Sequence, residues 1–111
     1  MTGRLLLDHA IAGVQHHTTA DYLKNLRENE VLNLVREPNN QYDPNAIRVE
    51  HNGTKLGYVP ATYSGIVAGL LDSGLVSLIA EVGDTVHPKK ALCHFRLLLI
   101  TNNEDSSTEE S

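Results

Sequence analysis

The chain has a single cysteine, Cys93, so no intrachain disulfide is available to it and a cysteine-built metal site is excluded. With no disulfide to maintain, the reducing cytoplasm is the expected compartment. Tryptophan is missing, Phe95 is the only phenylalanine, and four tyrosines complete the aromatics. A core must therefore be built from Leu, Ile and Val. No apolar run approaches the ~20 residues a transmembrane helix needs. The early Leu5-Leu6-Leu7 run is too short, and too soon followed by Asp8 and His9, to read as a secretory signal. Basic charge is also scarce. Nine Lys and Arg stand against 14 acidic residues, giving a net charge of −5. Four of those acids (Glu104, Asp105, Glu109 and Glu110) lie in the last eleven residues, which carry no base. The remaining hundred residues hold nine basic and ten acidic groups and are close to neutral. A near-neutral body argues against tight non-specific duplex binding, which needs many phosphate contacts.

What is present suits one domain. The length is 111 residues, with 41% hydrophobic, enough for one small core and not for two. Residues 4–14 read as a first strand, followed by a turn at His16-His17-Thr18-Thr19. Thr19 is placed to cap a helix from Ala20 to Arg27, with Tyr22, Leu23 and Leu26 on its inner face. Val31 to Arg36 is a second strand, stopped by Pro38. Ala46 to Glu50 alternates with period two, and Asn52-Gly53 provides a tight hairpin turn into a partner strand over Lys55–Val59. Pro60 opens a helix over 61–72 with Ile66, Val67, Leu70 and Leu71 as its stripe, and Gly74 ends it. Gly65 and Gly69 weaken that helix unless they allow close packing against the sheet. Leu75 to Val82 is a strand, Gly83 to Lys90 a loop, and Leu92 to Ile100 the last strand. The order predicts a mainly β fold with two short helices, either a small curled sheet or a partly open β-barrel.

One loop concentrates the chemistry. Arg36-Glu37-Pro38-Asn39-Asn40-Gln41-Tyr42-Asp43-Pro44-Asn45 combines a phenol ring, a carboxylate and several amides between two apolar runs. Such a set can hold a base, a sugar hydroxyl or a phosphate. A carboxylate repels phosphate, so it fits a nucleic-acid site only where the ligand offers a hydroxyl donor. The same Tyr-Asp-Pro-Asn run is also turn chemistry, in which Asp43 bonds backbone N–H groups and Tyr42 lies over the barrel. Both readings stand at this point. The six histidines contain no pair at the i, i+4 spacing of a helical zinc motif, so no metal or other cofactor is expected. No nucleophile elbow or phosphate-binding glycine loop is present, and catalysis is not expected.

Leu34 to Val49 resembles the central motif of the HIRAN family. Gly13-Val14-Gln15-His16-His17 is similar to that family's first-strand turn, and Gly57-Tyr58-Val59-Pro60 to the element that follows the motif. Leu70-Leu71-Asp72 also fits. The resemblance covers roughly residues 9–100. It implies a HIRAN-like domain over 1–100 with an OB-like barrel, and leaves 101–111 as an acidic tail, expected to be disordered. Families of this kind occur in Swi/Snf-type fork-remodelling helicases and as free-standing bacterial or phage domains.

The resemblance implies recognition of single-stranded DNA at a free 3′ end, in repair or replication-fork processing, with a helicase or nuclease as a candidate partner. Carried over, Tyr42 stacks on the terminal nucleotide, Asp43 accepts from the 3′-hydroxyl, and Asn39 and Asn40 add amide contacts. Gln15 and His16 stand where the helicase branch has a basic residue and a tyrosine. Tyr58 replaces a residue that approaches phosphate, and Ala61 stands in place of a lysine. Lys89 and Lys90 are candidates to replace the lost positive charge. The alternative is a protein-interaction module that keeps the fold without the ligand.

Overall fold

A computed structural model describes residues 3–100, so the acidic tail over 101–111 lies outside the described residues. Six antiparallel strands form one sheet: β1 Gly3–Ala10, β2 Val31–Arg36, β3 Ile47–His51, β4 Thr54–Tyr58, β5 Ser77–His87 and β6 Leu92–Ile100. Their spatial order is β1-β6-β5-β2-β3-β4. The chain beyond β1 then meets the far edge. Ala12 and Tyr58 exchange backbone hydrogen bonds of 2.8 and 2.9 Å, an isolated antiparallel bridge. Among the described residues this is the one backbone bridge between the two edges of the sheet, so the barrel is partly open. Phe95, Ile47, Leu56, Leu97, Val49 and Val82 are fully buried inside it. The mainly β architecture expected above is the one observed.

The hairpin forms as the residues dictate. Asn52 and Gly53 both adopt positive φ, 50° and 82°, which a two-residue turn of this hand demands. The 13-residue helix Ala61–Ser73 also forms, and Gly74 ends it at φ 70°.

Other elements depart from expectation. Strand β1 stops at Ala10, because Gly13 turns left-handed at φ 75° and starts a short helix, α1, Val14–His17. The histidine pair is therefore helical rather than a turn. The next helix, α2, spans only Ala20–Leu23; Thr19 caps it, its hydroxyl accepting from Tyr22 N at 3.2 Å. Beyond it, i→i+3 bonds tighten the chain so that Asn29 N reaches Val82 O at 2.8 Å, and Leu26 stays buried. With the long helix Ala61–Ser73 as α3, the described residues hold three α-helices where two were expected.

The expected loop over 83–90 is mostly strand. β5 runs on to His87 through a bulge between Val82 and Val86, then pairs Val86 with Cys93 and His87 with Leu92. Only Pro88–Lys90 leaves the sheet, as a 3₁₀ turn. In α3, Ile66 faces solvent at 72% exposure; the inner face is Ser64, Val67 and Ala68. The glycines of α3 serve no close packing, since a Cβ on Gly69 meets nothing within 4 Å and one on Gly65 only Asn45 at 3.7 Å. The glycine that packing requires is Gly57, where a Cβ would overlap the Ala12 carbonyl oxygen and lie 2.8 Å from Ile11 Cγ2.

Candidate nucleic-acid interface

The 36–46 loop is held by its own polar groups. Asn40 Oδ1 accepts from the backbone of Tyr42 at 2.8 Å and of Asp43 at 3.0 Å. Asp43 Oδ1 accepts from Asn45 N at 2.9 Å, the turn chemistry expected of it. Arg36 donates to the carbonyls of Pro44 and Ala46 at 3.1 and 3.0 Å and grips Asp72 on α3 with Nε and a terminal nitrogen at 3.0 and 3.1 Å. Arg36 is thus a clamp that fastens the loop to α3, with its charge already spent on the clamp.

This scaffold leaves a hollow of about 450 Å³ beside the loop. Asn40, Tyr42, Asp43, His17 and Tyr58 line it with polar and aromatic groups. Ala12, Ala46, Val59 and Ala61 supply the apolar part of its lining. Tyr42 is 92% exposed, so its ring is not packed over the barrel. Asp43 is half-buried, and its second oxygen, Oδ2, accepts from the Ser64 hydroxyl at 2.9 Å. A carboxylate has about four lone-pair sites, so two remain after these bonds. The turn bond and the Ser64 bond thus leave part of the carboxylate's accepting capacity unused.

Tyr58 is fixed by a charged network. The Tyr58 hydroxyl donates to Glu37 Oε1 at 2.9 Å and accepts from Lys55 Nζ at 2.8 Å. The Lys55 ammonium also lies 4.5 Å from the Tyr58 ring centroid, a cation–π distance. Arg48 joins Glu37 at 2.7 Å and also pairs with Glu50. Burial pushes the Glu37 carboxyl up, but hydrogen bonds from Asn40, Tyr58 and Arg48 outweigh it and hold it below its ordinary value. The His17 ring meets Tyr58 edge-on at 5.5 Å. Burial, then Lys55 and His16, lower its pKa, which favours the neutral imidazole near pH 7.

The structure thus brings Tyr42, Asp43, Asn40 and Tyr58 together around one hollow. Asn39 lies just outside it, on a shallower surface with Glu37, Pro38 and Arg48. Gln15 and His16 are exposed on α1, 3.4 Å apart through Gln15 Nε2 and His16 Nε2, and do not line the hollow. Lys89 and Lys90 line a different one. Sequence reasoning missed His17 and Ser64. The Gly13–His17 segment did signal that a histidine would be near, but choosing between 16 and 17 needs the helix phase. Ser64 carried no local signal.

A small, partly open antiparallel barrel with an aromatic–carboxylate hollow at its seam is the class this geometry defines. The HIRAN domain family matches residues 6–99, and the chain belongs to that family. It is 33% identical over 69 residues to the helicase-like transcription factor of Oryctolagus cuniculus, an overlap that covers 61% of this chain and 6% of that protein. The chain therefore spans only a small fraction of the curated relatives it matches. A Lactobacillus plantarum protein of known crystal structure superposes with a TM-score of 0.77 at 27% identity, over 91% of this chain and 98% of that one. The HLTF HIRAN domain in its DNA-bound conformation superposes at 0.57 with 22% identity, over 95% of this chain and 84% of that one, a likeness of fold. No described helix is long and apolar enough to cross a membrane.

Proposed function

We propose that this protein is a non-enzymatic DNA-binding module that takes the 3′-hydroxyl terminus of a single strand into the hollow between Tyr42–Asp43 and Tyr58. The carrying observation is Asp43: a carboxylate on the wall of the hollow with lone pairs left after Asn45 and Ser64 are served. That group repels a phosphate and welcomes a hydroxyl donor. The exposed Tyr42 ring supplies sequence-tolerant stacking beside it. Membership of the HIRAN family, one domain of which is solved in a DNA-bound conformation, supports the nucleic-acid reading. A role in fork repair, with a helicase or nuclease partner, is the biological setting this reading favours.

The test compares matched fluorescent oligonucleotides ending in a 3′-hydroxyl or a 3′-phosphate, by anisotropy. The hydroxyl end binds more tightly, and Asp43→Asn removes most of that preference, since a hydrogen bond to a charged group is worth about 1.5–3 kcal/mol. Equal binding of the two ends by the wild-type protein refutes end recognition. The interaction-module alternative is told apart by salt: DNA affinity falls steeply as salt rises, whereas an apolar protein contact does not.

A further inference from the structure

The positive charge of this chain is unevenly committed. Of its nine Lys and Arg residues, Arg36 pairs with Asp72, Arg48 with Glu37 and Glu50, and Arg96 with Glu28 and Glu81. Lys55 is engaged by Tyr58. Three of the other five, Lys24, Lys89 and Lys90, line one hollow of about 580 Å³ together with His87. Asp21 is the acid on that rim; its contact with Lys24 is 3.6 Å long and open to water, a pairing that a polyanion readily displaces. Lys89 and Lys90 are exposed on the 3₁₀ turn at the tip of the β5–β6 hairpin, and that turn is in contact with α2.

The two hollows are neighbours along the chain. His17 lines the first and Ala20 the second, with only Thr18 and Thr19 between them. At 3.8 Å per Cα step, that separation is at most about 11 Å. We propose that the Lys24–Lys89–Lys90 hollow is a second subsite, which takes the phosphodiester backbone of the strand whose terminus occupies the first. This inference rests on the end-binding reading for the direction of the strand. The lysines suit the task because flexible ammonium groups bind phosphate as point charges without base preference. The division of labour is chemical: a carboxylate and rings where the ligand has a hydroxyl and a base, ammonium groups where it has only phosphates.

The experiment measures affinity and its salt dependence for a 3′-hydroxyl dinucleotide and a ten-nucleotide strand, with wild type, Lys89→Gln/Lys90→Gln, and an Arg4→Gln/Arg27→Gln control of equal net charge. Each phosphate neutralised on a single strand contributes about 0.7 to the slope of log affinity against log salt, so losing two cations lowers the slope for the long strand by about 1.4. The expected result is that loss in the lysine variant alone, with dinucleotide binding and the hydroxyl preference retained. An unchanged slope in the lysine variant, or an equal drop in the arginine control, overturns the subsite. If wild type shows no hydroxyl preference while the lysine variant still loses slope, end recognition falls and the phosphodiester site stands.

Discussion

The Ser64 hydroxyl, buried on α3, donates to Asp43 Oδ2 at 2.9 Å across twenty-one residues of sequence. This bond aims the carboxylate that the loop alone holds only through Asn45. Ser64→Ala should therefore lower stability by about 1 kcal/mol and also blunt the discrimination between 3′-hydroxyl and 3′-phosphate ends. Thermal melting and anisotropy on the same variant check both. A stability loss with intact discrimination would mean that Asn45 alone orients Asp43.

Tyr42 offers the opposite case. Its ring is 92% exposed, so Tyr42→Ala should leave the melting temperature within experimental scatter. Single-strand affinity should fall by the worth of one stacked base, about 1–3 kcal/mol. Titration of a short oligonucleotide measures it, and unchanged affinity would remove the ring from the interface.

Gly57 tests the barrel seam. A methyl group there runs into the Ala12 carbonyl oxygen and Ile11 Cγ2, and the oxygen is backbone that cannot swing aside. Gly57→Ala should destabilise by roughly 1–3 kcal/mol or more. Denaturant unfolding reads the loss, and Gly69→Ala, where a methyl meets open space within a helix, is the control with a gain of up to about 1 kcal/mol.

What sequence reasoning could see follows the range of the interactions. The Asn52-Gly53 hairpin, α3 with its Gly74 cap, and strands β2 and β6 are set by neighbours in the chain, and they stand within a residue or two of where pattern places them. The Gly83-Asp84-Thr85 segment reads as loop by composition. It is held in the sheet by Val86 and His87 pairing with Cys93 and Leu92, which no local pattern reveals. The site divides the same way. Tyr42 and Asp43 are visible in their own motif; Ser64 beneath Asp43 and Glu37 behind Tyr58 depend on tertiary approach over twenty-one residues each.

Glu37 carries a pH signature. Its folded carboxyl titrates below the unfolded one, so its share of stability is complete above the unfolded value, ~4.3. That share is lost as pH falls through the lower folded value. Glu37→Gln should be less stable than wild type at pH 7, and the gap should narrow on acidification below about pH 4. Urea midpoints across pH 3–7 follow the gap; a gap that widens on acidification would contradict the assigned direction.

Cys93 is fully buried, and burial raises its thiol pKa to about 11. The native protein should resist thiol reagents at pH 8, and labelling should track unfolding of the β5–β6 region. A labelling rate equal to that of a free cysteine peptide in native buffer would contradict the burial.

Ala12 and Tyr58, whose amides latch the first strand's exit to the last strand of the hairpin, both also line the hollow. An occupant of the hollow therefore sits beside the latch. The latch is closed before any guest arrives, so an occupant can only reinforce it, and the sign of that reinforcement is slower deuterium uptake at those two amides.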